Sequence, residues 1–187
     1  MEAQKKTLNE LIPKLNKEID TVLEESLDKM FVQESPNIYD VLKKLDDLEA
    51  HKNELEDTAG KYNYYQEQLQ VQPTIFENLD QLREELSIRC LLWRSLKEWE
   101  EMTEEWLKTD FKDIDANSIK NIAEEYAKKC LRLEKNLDDN PIQSKLKVKV
   151  DTFKLAMPIV LALRNENLED NHRQKINEVC GVEINVQ

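Results

Sequence analysis

Glycine is almost missing from this sequence: Gly60 and Gly181 are the only two in 187 residues. Parallel α/β folds and β-sandwiches need glycine at many tight turns, so two cannot punctuate either. Five prolines and an aromatic content of 6% leave little else to build short, sharply turned elements. Cysteine is also sparse. Cys90, Cys130 and Cys180 are far apart and odd in number, which argues against a disulfide framework and for an intracellular, reducing setting. The sequence shows no signal peptide, no transmembrane run and no Asn-x-Ser/Thr acceptor. Positive charge is in deficit, with 27 basic against 39 acidic residues and a net charge of −12. Nucleic-acid binding needs clustered Lys and Arg to displace counterions, and anionic membranes and microtubules repel an acidic chain in the same way. Nucleic acid, membrane and direct microtubule contact are therefore not expected, and another protein is the expected partner.

Sites for chemistry are lacking too. No G-x-x-x-x-G-K-[ST] phosphate cradle and no nucleophile-elbow pattern occurs. His51 and His172 have no second His or Cys at metal spacing. The acidic doublets Glu84-Glu85, Glu100-Glu101 and Glu104-Glu105 fit solvated helix faces paired with Lys or Arg at i,i+4. No catalytic, cofactor or metal site is expected.

What remains is a helical rhythm of three and four. In residues 4–32, Leu8, Leu11, Ile12, Leu15, Ile19, Val22 and Leu23 share a face, with Pro13 setting either a start near Glu10 or a kink. Ser35 and Pro36 read as N-cap and first helical residue. A long helix to about Gln72 follows. Its seam is Val41, Leu45, Leu48, Lys52, Leu55, Ala59, Tyr62, Gln66 and Leu69. Pro73-Thr74 breaks the chain, and Thr74 is the expected next N-cap. Ile75, Leu79, Leu82 and Leu86 continue toward Cys90 or Trp93, and a second seam runs through Leu92, Leu96, Trp99, Met102 and Trp106. The stripe changes face near residues 88–93, as a helix serving two neighbours would require. The short connection predicts an antiparallel return on the preceding helix.

Asp115 is the expected N-cap of a helix with Ile119, Ile122, Tyr126, Cys130, Leu133 and Leu137 inward. Asn140-Pro141 starts another. Its opening stretch 144–150 (SKLKVKV) alternates like a strand, but the wider set Ile142, Leu146, Val150, Phe153, Met157 and Val160 favours a helix. Pro158 should kink it, and the apolar run 158–163 should be deeply buried. Asn165 then caps a last helix with Leu168, His172, Ile176 and Val179, ending at Gly181. The reading is all-α: an elongated bundle of long antiparallel helices in two overlapping sub-bundles. Its parts are an N-terminal helix over 1–35, a helical hairpin over 36–110 and a second sub-bundle over 111–187. The apolar end after Val182 suggests a piece of something longer. Trp93, Trp99 and Trp106 are the most unusual local signal. They read either as core rings or as anchors for a partner.

Two stretches resemble a known family. Residues 92–106 (LWRSLKEWEEMTEEW) and 108–115 (KTDFKDID) are similar to the Trp-rich helix and loop in the linker of dynein heavy chains. Residues 157–176 (MPIVLALRNENLEDNHRQKI) are similar to a second signature of that family, matched at Pro158, Leu163, Arg164, Asn165, Leu168, His172 and Ile176. Asn171 and Arg173 stand where the family has Arg and Trp. The resemblance covers about residues 40–187. It implies the tail-side part of the linker, a non-catalytic lever between the tail and a ring of AAA+ modules that bind ATP elsewhere. Implied partners are the tail and ring of the same heavy chain, with intermediate or light chains. The implied location is the cytoskeleton, in the axoneme of a cilium. A spectrin-like or coiled-coil tethering scaffold is the alternative reading.

Overall fold

A computed structural model describes residues 2–110 and 113–163. Five α-helices follow in order: α1 Glu2–Ser26, α2 Ile38–Gln68, α3 Glu77–Lys108, α4 Ala116–Asn136 and α5 Pro141–Leu163, with a 3₁₀ turn Lys29–Val32 between α1 and α2. No strand occurs among the described residues, so the chain is an all-α helical bundle. The alternating stretch 144–150 is helical, as its wider apolar spacing requires. The chain divides into two compact units. Residues 1–94 with 140–142 form the first, and 95–139 with 143–187 the second. Helix α3 supplies residues to both units, and the division falls beside the change of face in its apolar stripe.

In the first unit, α1, α2 and the start of α3 share a core of Leu15, Ile19, Val22, Leu55, Phe76 and Leu82, among others. Partner residues on α2 fall in number as those on α3 rise. Arg83 pairs with Glu56 at 2.7 Å, and Arg94 with Asp46 and Glu49 at 2.7 Å each. The two helices are therefore antiparallel. Asn78 on α3 also bonds Asp20 on α1. All nine positions of the α2 seam are buried or half-buried, including the polar Lys52 and Gln66. Helix α1 starts at Glu2 and carries Pro13 inside it, so Pro13 does not delay the start to Glu10. It ends at Ser26, short of Val32. Asp28 then caps the 3₁₀ turn by accepting from the Met30 N–H at 2.8 Å.

Two expected caps move. Asn37, not Ser35, caps α2, its side chain accepting from the Tyr39 N–H at 3.0 Å. Ser35 instead braces Asn37, donating to its carbonyl at 3.2 Å. Thr74 is not the N-cap of α3, which begins at Glu77. Gln66 and Asn63 at the end of α2 hold Thr74 instead. The Thr74 N–H donates to Gln66 Oε1 at 2.9 Å and Asn63 Oδ1 at 3.2 Å, and Gln66 Nε2 donates to the Thr74 hydroxyl at 2.9 Å. A buried amide in an apolar seam thus has a reason: it ties down the connection. Phe76 is buried and Ile75 is exposed, the reverse of the expected seam.

Helix α2 closes in a Schellman arrangement. The Val71 N–H donates to the Gln66 carbonyl at 2.8 Å and the Gln70 N–H to the Glu67 carbonyl at 3.0 Å. Gln70 takes φ 54°, a left-handed conformation usually given to glycine. Glycine sits instead at Gly60 in the middle of α2, where an added Cβ would meet nothing within 4 Å. Gly60→Ala is therefore expected to stabilise the chain by about 1 kcal/mol, the helix-propensity difference. Chemical denaturation monitored by circular dichroism checks it; a lower midpoint would contradict the open helical geometry.

In the second unit, the end of α3 packs with α4 and α5. Asp115 caps α4 as expected, accepting from the Ser118 N–H at 3.1 Å. Pro141 opens α5, where its missing N–H costs no helical bond. Leu96, Trp99, Ile119, Leu133, Leu146 and Val150 are among its buried residues. The apolar run 158–163 departs from expectation. Pro158, Ile159 and Ala162 are exposed, and Val160 and Leu161 are half-buried. A helix turns about 100° per residue, so a continuous apolar run cannot face one core along its whole length.

Candidate functional site

The three tryptophans of α3 occupy different surroundings. Trp93 belongs to the first unit and is 1% exposed. Its indole Nε1 donates to the Phe31 carbonyl at 2.9 Å, and Phe31 is itself buried. One ring thereby fills the core and satisfies a carbonyl in the connection between α1 and α2. Beside it, Arg94 binds Asp46 and Glu49, which hold its guanidinium above its ordinary pKa.

Trp99 and Trp106 belong to the second unit and share a face of α3. Their ring centroids lie 5.9 Å apart, edge to face. Trp99 also meets Phe153 of α5 at 5.4 Å, edge to face, and Tyr126 of α4 at 5.2 Å. Trp106 lies 5.0 Å from Phe153 and is half-buried. Four rings from three helices thus form one aromatic cluster with Trp99, 1% exposed, at its centre. Polar contacts surround it: the Tyr126 hydroxyl donates to Glu98 Oε2 at 2.8 Å, and Lys149 pairs with Glu100 at 2.6 Å. Burial, then the bond to Glu98, raises the Tyr126 pKa. Tyr126 and Phe153 were visible in the sequence as seam residues. Their meeting at Trp99 depends on how three helices register, which spacing along one helix does not encode.

Pro158 stands exposed inside α5, and Leu163 is its last residue. Arg164, Asn165, Leu168, His172 and Ile176 lie outside the described residues, as does the expected cap at Asn165.

Among the described residues, no group of three His, Cys, Asp or Glu side chains could hold a metal. No described helix is long and apolar enough to cross a membrane. Cys90 and Cys130 are buried free thiols, and burial pushes both up to about 11. A thiol reacts through its thiolate, so near pH 8 the shift alone should slow alkylation of both about a hundredfold relative to an ordinary cysteine. Mass spectrometry of the folded and the urea-unfolded chain after iodoacetamide checks this. Fast labelling of either thiol in the folded chain would contradict the packing. An open apolar groove of about 390 Å³ between the start of α1 and the end of α2 is lined in part by Leu8, Leu11, Tyr62 and Tyr65.

Packed helices, cores built on large rings and a surface of paired charges define an all-α helical bundle. The chain belongs to the dynein heavy chain, N-terminal region 2, family, whose model matches residues 79–187. It is 30% identical over 173 residues to Dynein axonemal heavy chain 6 of Homo sapiens, covering 92% of this chain and 4% of that protein. Dynein-1-beta heavy chain, flagellar inner arm I1 complex, of Chlamydomonas reinhardtii is 26% identical over 141 residues, covering 74% and 3%. Dynein axonemal heavy chain 3 of Homo sapiens is 31% identical over 97 residues, covering 50% and 2%. The chain thus spans only a few per cent of the length of these relatives. It is a segment of a motor protein of the cytoskeleton, and its relatives place it in the ciliary axoneme.

Proposed function

We propose that this chain is the tail-side part of a dynein heavy-chain linker, a non-catalytic element that transmits force between the tail and the AAA+ ring. ATP is bound and hydrolysed in the ring, outside this chain, and the helices here carry load. The observation that carries the reading is the match of residues 79–187 to the N-terminal region of dynein heavy chains. The cores support it physically. Close-packed interiors deform little and transmit strain, and Trp93 and Trp99 each anchor such an interior. Partners in this reading are the tail and ring of the same heavy chain, with intermediate or light chains on its surface. Its acidic charge keeps it off nucleic acid, anionic membranes and the microtubule itself.

The antiparallel packing in the first unit also suits a tethering scaffold, which would bind partners without moving in a power stroke. The two readings separate in the intact heavy chain carrying Trp99→Ala. Force transmission predicts that microtubule gliding slows far more than ATP turnover, because hydrolysis continues while the stroke is lost. Equal loss of both, or of neither, would contradict it.

A further inference from the structure

The open groove of the first unit, between the start of α1 and the end of α2, has the dimensions of a seat for a helix. Leu8 and Leu11 form its α1 wall, and Tyr62, Tyr65 and Leu69 its α2 wall, around about 390 Å³. The lining runs from Gln4 to Leu11 and from Tyr62 to Leu69, so each wall is about two helical turns, or roughly 10 Å, long. Tyr62 packs against the core around Leu15 and Leu55, while Tyr65 is 51% exposed. An apolar furrow between two helices, with a tyrosine standing free beside it, is the setting in which a further helix lays down its apolar face.

We propose that this groove docks an acidic amphipathic helix of another polypeptide. Charge selects that occupant. Residues 2–14 and 61–69, which carry the groove, hold Lys5, Lys6, Lys14 and Lys61 against Glu2, Glu10 and Glu67, a net +1 in a chain whose net charge is −12. None of the four lysines holds an ion pair among the described residues, so their charge is available to a partner. The placement of two of them also runs against the helix itself. Helix α1 begins at Glu2, and Lys5 and Lys6 stand near its N-terminus, where the helix dipole disfavours cations. Acidic side chains laid along this end would relieve that repulsion, whereas a basic partner would add to it. The apolar walls fix the rest of the occupant: a stripe at i, i+3, i+4 and i+7 covers about two turns. A second copy of the groove would bring like charges together, and its two short walls bury far less than the roughly 1,200 Å² of a stable interface.

The test is fluorescence anisotropy of labelled synthetic peptides titrated with the 187-residue chain. The probe is an amphipathic peptide with leucine at i, i+3, i+4 and i+7 and glutamate on its other face. A twin with glutamine for glutamate and a scrambled acidic peptide of the same composition are the controls. The acidic amphipathic peptide is expected to bind, and both controls to bind at least about tenfold more weakly. Tyr65→Ser should lower its affinity at least about tenfold, as loss of an aromatic anchor does. Lys5→Glu/Lys6→Glu should abolish the preference for the acidic peptide over its glutamine twin. All three positions lie outside the core around Leu15 and Leu55, and circular dichroism checks that each variant keeps its helices. No binding of the acidic peptide, equal binding of the controls, or binding indifferent to Tyr65→Ser would overturn the proposal. A dimeric mass of the chain that Tyr65→Ser abolishes would overturn it in favour of a second copy.

Discussion

Trp93→Ala is expected to destabilise the first unit by at least about 3–5 kcal/mol, the range for emptying a buried aromatic site. The Phe31 carbonyl adds to that cost. It accepts from the indole at 2.9 Å in a buried setting, and losing its donor leaves an acceptor unsatisfied. Trp93→Phe separates the two contributions, since it keeps most of the ring and removes the N–H. Its expected cost is about 1–3 kcal/mol. Urea denaturation of both variants, with hydrogen exchange to localise the loss to α1 and α2, checks the assignment. A phenylalanine variant as stable as the parent would show that the Phe31 bond contributes nothing.

Trp99→Ala should cost about 3–5 kcal/mol in the second unit, for a different reason. Trp99 makes ring contacts with Trp106, Tyr126 and Phe153, and each edge-to-face or tilted pair adds roughly 0.5–1.5 kcal/mol beyond area. Removing it leaves three rings around a void. A fall in melting temperature on the order of 10 °C is expected for a chain of this size, with exchange rising in α4 and α5. Trp106→Ala should cost less, because Trp106 is only half-buried. If the two substitutions cost the same, Trp99 is not the centre of the cluster.

Much of this architecture is legible in the sequence, because a helix repeats its inward face every third or fourth residue. The α2 seam is inward at every expected position, Asp115 caps α4 and Pro141 opens α5. Spacing is least informative where a short segment can choose between equivalent partners. Ser35 and Asn37 can both cap, and Asn37 wins while Ser35 braces it. Thr74 resembles a cap but its backbone N–H and hydroxyl are held by the side chains of Gln66 and Asn63, eight and eleven residues away. The run 158–163 reads as deep core because hydropathy carries no direction, and only the packed helix shows which of its residues face in. The aromatic cluster was half legible. Trp99 and Trp106 at a spacing of seven announce a shared face, but Tyr126 and Phe153 join them only through the registry of three helices.

The decisive measurement is single-motor stall force in the parent heavy chain, across core and surface substitutions in this segment. Force should fall with Trp93→Ala and Trp99→Ala in step with lost stability. It should hold for surface changes such as Glu104→Gln, which removes only an exposed pair with Lys108. Force that collapses on surface substitution while both cores stay intact would contradict force transmission by packed helices and point to partner binding instead.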